Sequence, residues 1–84
     1  MKNTQSDFTY FYQCSDLALA AALSLFYPIE AIDKTNPHRA IFEFKRDRAL
    51  DDLIEAYWKK ELKVAPQDYF QQLRVIKTRL YSHG

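Results

Sequence analysis

Ser15-Asp16-Leu17-Ala18-Leu19-Ala20-Ala21-Ala22-Leu23-Ser24-Leu25-Phe26 is the stretch that decides the fold. Ser15 reads as an N-cap, because its hydroxyl can accept from a backbone N–H of the first turn. Asp16 follows where the positive end of the helix dipole favours a carboxylate. Leu17, Leu19, Leu23, Leu25 and Phe26 fall on several sides of such a helix, and alanines fill most of the remainder. A helix that is apolar nearly all round is a buried one. At about 12 residues it is too short to cross a bilayer, which needs roughly 20. In a chain of 84 residues it is expected to be the central packing element, with Leu19 and Leu23 shut off from solvent.

Upstream, Phe8 to Cys14 (Phe-Thr-Tyr-Phe-Tyr-Gln-Cys) is rich in strand formers and reads as the first strand. Met1 to Asp7 is a polar leader without periodicity, expected to be disordered, which leaves a single domain over residues 8–82. Downstream, Tyr27-Pro28 stops the helix, since the residue before a proline is pushed out of the α region. Ile29 to Asp33 is a short second strand, and Asn36-Pro37 marks the turn after it. Arg39 to Lys45 alternates, with Ala40, Phe42 and Phe44 on one side and Ile41, Glu43 and Lys45 on the other. This is the best strand in the chain and belongs in mid-sheet.

Asp47 caps a second helix running to about Lys60, with Leu50, Leu53, Ile54, Tyr57 and Trp58 as its apolar face. Leu62 and Val64 are expected to turn inwards from the connector. Pro66, at its favoured first-turn position, opens a third helix to about Tyr81, with Tyr69, Phe70, Leu73, Ile76 and Leu80 as its stripe. The expected fold is α+β: a three-stranded mixed sheet of order 1-3-2, set by a right-handed crossover, with the helices on one face.

Composition removes several function classes. Cys14 is the single cysteine, so no internal disulfide and no cysteine-based zinc site can form. His38 and His83 are too few and too far apart for a metal site. The one glycine is Gly84, which excludes phosphate-cradling loops and dinucleotide fingerprints and with them a nucleotide cofactor. No apolar signal segment or membrane span is visible, so the cytoplasm is the expected compartment. A net charge of +1 removes the simplest case for strong nucleic-acid binding. Six Phe, six Tyr and Trp58 exceed what so small a core uses, which points to aromatics on a contact surface.

Cys14 precedes a helix N-terminus, and Ser15 adjoins it, but no base is in evidence to activate either, so both read as structural. Lys77 falls among Phe70, Leu73, Leu80 and Tyr81 on a helical wheel. It is expected to snorkel or to pair with Asp16 as a structural ion pair. The sheet's uncovered face carries Ile41, Glu43 and Lys45, joined by either Tyr10 and Tyr12 or Phe11. Arg39 to Phe44 is similar to the aromatic strand of RNA-recognition domains, without that motif's glycines and without its fourth strand. The region from Tyr69 to Gly84 holds Arg74, Lys77 and Arg79 and no acid. The expectation is a non-catalytic interaction domain that forms a homodimer or docks a protein partner. The alternative is a nucleic-acid-binding accessory protein using the Arg74–Arg79 helix and the sheet-face aromatics.

The run Cys14-Ser15-Asp16-Leu17, then Leu19-Ala20-Ala21 and Leu23, resembles the opening of a family of short bacterial and phage-encoded domains of unknown function. The resemblance continues through Phe42, Phe44, Ala56-Tyr57, Val64, Pro66, Phe70, Leu73 and Lys77. It implies a fold and a family and supplies no activity. Where similar sequences carry Asn-Gly after the second helix, this chain has Lys59-Lys60, so that helix is expected to end less sharply.

Overall fold

A computed structural model describes residues 10–36 and 38–82. The leader, Phe8 and Thr9 at the start of the expected first strand, Pro37, His83 and Gly84 lie outside the described residues. The elements run β1 (Phe11–Cys14), α1 (Leu17–Leu23), β2 (Ala31–Asp33), β3 (Ile41–Lys45), α2 (Arg48–Trp58) and α3 (Pro66–Tyr81). The sheet has the expected order β1-β3-β2. It is antiparallel throughout, not mixed: β1 and β2 run the same way but never touch, because β3 lies between them. The shortest extent, 18 Å, is that of one sheet under one layer of helices.

Five consecutive residues of α1, Leu19 to Leu23, are buried. They form the core with Phe42 and Phe44 of the sheet, Leu50 of α2 and Ile76 of α3. Alanine at three of these positions lets α1 sit close to sheet and helices alike. Its start is one residue later than expected. Asp16 is the N-cap, its Oδ1 accepting from the Leu19 N–H at 3.2 Å. The Ser15 hydroxyl instead accepts from Arg39 Nε at 3.0 Å, a contact from 24 residues away that a local reading cannot see. The helix also ends early. Ser24 Oγ donates to the Ala21 carbonyl at 2.7 Å, the next N–H groups make tighter turn bonds, and Phe26 is left half exposed.

Cross-strand register decides which sheet residues face which way. Tyr12 pairs with Phe44 and Cys14 with Phe42, all towards the helices; Phe11 pairs with Lys45 and Gln13 with Glu43 on the open face. Of the two arrangements left open for β1, Phe11 is therefore the outward aromatic, and Tyr12 packs against the core. Shifting by one residue reverses every side chain of a strand.

The second helix is capped as expected, with Asp47 Oδ1 accepting from the Leu50 N–H at 2.8 Å. The same oxygen accepts from the Tyr27 hydroxyl at 2.6 Å. Its far end corrects the expectation of a loose finish. Lys60 N–H donates to the Tyr57 carbonyl at 3.0 Å and Glu61 N–H to the Ala56 carbonyl at 2.8 Å, the paired bonds of a Schellman close. Lys60 holds the left-handed conformation (φ 63°) that glycine usually supplies there.

Candidate interaction surfaces

The residues singled out from the sequence do not converge. Tyr10 is exposed just before β1, Tyr12 faces the core, and Ile41 and Lys45 stand on the open sheet face. That face is crossed by a hydrogen bond from Gln13 Nε2 to Glu43 Oε2 of 2.6 Å and carries Asp33 and Lys45 beside it. Its large apolar groups are Phe11 and the half-buried Ile41. Arg74 and Arg79 are both exposed on α3. Five residues separate them, about 140° around the helix, so they serve different flanks.

The expected Asp16–Lys77 pair does not form. Asp16 is engaged as the α1 cap, and Lys77 is exposed. The core-facing side of α3 is centred on Tyr69, Leu73, Ile76 and Leu80, which rotates Phe70, Lys77 and Tyr81 out of the arc to which the wheel assigned them. The ion pairs among the described residues are Arg46–Asp51 and Lys59–Glu55, both at the surface.

Nor is Cys14 activated. Burial pushes its thiol up to about 11, against a smaller opposing effect of the Asp16 backbone, and Sγ–H points to the Asp16 carbonyl at 4.0 Å. A thiol held neutral is not a nucleophile.

A different place gathers the aromatics. An apolar cleft of about 460 Å³ opens between the end of α2, the connector and the start of α3. Tyr57, Trp58, Leu62, Val64 and Tyr69 line it, with Ala22 of α1 and Lys60 completing the wall. Its wall holds the edge-to-face pair of Tyr57 and Trp58, ring centres 5.0 Å apart, and Tyr69, whose ring meets that of Phe70, outside the lining, at 5.9 Å. In each pair one ring is held inside and the other is given to solvent. Tyr69 donates to the Ala18 carbonyl at 3.4 Å, and burial, with the Asp16 charge next, raises the Tyr57 phenol above its ordinary value. Trp58 and Phe70 are each 59% exposed.

The sequence reading missed this cleft by placing both members of each pair in the core. The signal was present: neighbours on a helix are about 100° apart, so Tyr57-Trp58 and Tyr69-Phe70 cannot both be centred on one buried stripe.

A second surface lies at the other end of α3. Arg74, Lys77, Thr78, Tyr81 and Ser82 line one shallow depression. Tyr81 and Ser82 continue it into another, shared with Lys34, His38 and Arg39 from the turn between β2 and β3.

The chain belongs to the family described as a domain of unknown function (DUF5659), which it matches over residues 9–82. No curated protein and no solved structure matches it.

Proposed function

We propose that this domain is a non-catalytic interaction module that self-associates through the aromatic cleft. The observation that carries the reading is an apolar cavity with the protruding ring of Trp58 in its lining. An exposed Trp beside an apolar recess is the usual anchor of a protein contact. Because ring and recess are adjacent on one surface, a twofold axis beside them seats each protomer's Trp58 against its partner's cleft. The open sheet face offers less: its apolar groups are few and its centre is charged. The neutral Cys14 thiol and the Ser15 hydroxyl, bonded to Arg39, support a non-catalytic role.

Sedimentation equilibrium from micromolar to submillimolar protein tests this. The wild type is expected to pass from monomer to dimer, and Trp58→Ala to weaken the dimer by at least about 30-fold, as an anchor residue does. A monomer throughout the range, or a dimer that the substitution leaves intact, contradicts the proposal.

A further inference from the structure

One flank of α3 presents a surface separate from the lining of the aromatic cleft. Phe70, Arg74, Lys77 and Tyr81 follow one another at helical spacing along a single flank. All four are exposed, Tyr81 at 76%. Two cationic side chains thus lie between two aromatic ones over about 16 Å of helix. Tyr81 joins this flank to the depression that contains Lys34 and Arg39, and among the described residues neither depression is lined by a carboxylate. A protein of net charge +1 has gathered four cations here with no opposing acid among the described lining residues.

Two local devices adapt the place to an anion. The C-terminal end of a helix carries partial negative charge and repels phosphate. Here the Lys34 ammonium donates to the carbonyls of Arg79 and Ser82, at 3.2 Å each, and offsets that charge. Arg39 is oriented by its Nε bond to Ser15 Oγ, so its guanidinium is held at the surface rather than free to sweep it.

We infer that this surface binds a short single-stranded nucleic acid, with phosphates on Arg74, Lys77 and Arg39 and bases stacked on Tyr81 and Phe70. A cationic track flanked by exposed rings combines the two features that hold single strands without base-specific contacts. An acidic peptide would be drawn by the same cations, but the rings give it no matching flat partner. A duplex would leave both rings unused, because its bases are already stacked.

The test is fluorescence anisotropy of a fluorescein-labelled oligothymidylate of about twelve nucleotides, titrated with the full chain. Three neutralised phosphates give a salt slope of about −2, so affinity should fall about 20-fold between about 50 and 200 mM salt. Replacing Arg74→Gln and Lys77→Met together should flatten the slope to about −0.7. Tyr81→Leu should weaken binding about 5- to 150-fold at fixed salt, the range for loss of one stacked base. All three positions are exposed, so an unchanged melting temperature is the control for folding. Trp58→Ala should bind the oligonucleotide as the wild type does, which separates this surface from the cleft. Absence of binding at low salt overturns the inference, as does binding indifferent to Arg74, Lys77 and Tyr81. Displacement by polyglutamate as readily as by unlabelled oligothymidylate assigns the surface to an acidic protein instead, and equal affinity for a duplex removes the stacking role.

Discussion

Replacing Leu23 by alanine probes the organisation of the fold at its centre. Leu23 is fully buried, in the last turn of a helix that packs on the sheet, α2 and α3 together. Three carbons leave the core, and at about 0.8 kcal/mol each their lost transfer energy is about 2.4 kcal/mol. A void of up to roughly 75 Å³, at about 24 cal/mol per Å³, adds up to about 2 kcal/mol if the surroundings do not close. Rigid neighbours on every side make closure incomplete, so the expected loss is about 3–4 kcal/mol. For a domain of this size that is a large fraction of a total stability of about 4–13 kcal/mol, and it should lower the melting temperature by roughly 12–30 °C. Urea titration followed by far-ultraviolet circular dichroism measures it, with Leu25→Ala, half-buried in the turn that follows, as the internal comparison. Leu25→Ala should cost less than half as much. A loss below about 1 kcal/mol at Leu23, or equal losses at the two positions, would show that α1 is peripheral and refute the packing argument.

The capping assignment separates two adjacent residues: Asp16→Ala should cost about 0.5–2 kcal/mol, whereas Ser15→Ala should change stability by less than about 0.5 kcal/mol. Equal effects in chemical denaturation would return the cap to Ser15. Lys60→Gly should stabilise the domain by about 0.5–1 kcal/mol, because it relieves a left-handed side-chain clash that outweighs glycine's extra unfolded-state freedom; destabilisation would show that the lysine stem contributes packing at the cleft. Cys14, with its thiol raised to about 11, should be alkylated at about pH 8 some hundred-fold more slowly than an exposed thiol, whose thiolate fraction is far higher. Because the folded state holds that proton more tightly than the unfolded state, its contribution to stability is complete below about pH 9 and is lost as the pH climbs towards 11. Cys14→Ala should remove that component of the alkaline decline.

The architecture was legible because each element carried its own signal: the alternation of Ile41 to Lys45, the Asp47 cap, Pro66 at the head of α3 and the all-apolar run through Leu23. What escaped depended on residues far apart in sequence. Ser15 and Asp16 are both competent caps, and the choice between them turns on Arg39 taking the serine hydroxyl. The orientation of β1 turned on its pairing with β3, since aromatics stand at both parities of Tyr10 to Tyr12. The cleft was hidden because apolar residues were assigned to the core by type, although a helix with adjacent aromatics must turn one of each pair away from its buried centre. Lys77 was misplaced for the related reason that Phe70 and Tyr81, counted as buried, drew the apolar arc around it.

Trp58 is the only tryptophan in the chain, so its emission reports directly on the cleft. The most direct test of the self-association claim is therefore the emission maximum of the wild-type protein along a dilution series in constant buffer. Seating in a partner's cleft should shift the maximum to shorter wavelength as concentration rises, along the same curve as the sedimentation-derived dimer fraction. An emission maximum that stays at the value of an exposed indole while the protein dimerises would place the contact elsewhere, and an invariant maximum on a persistent monomer would contradict self-association altogether.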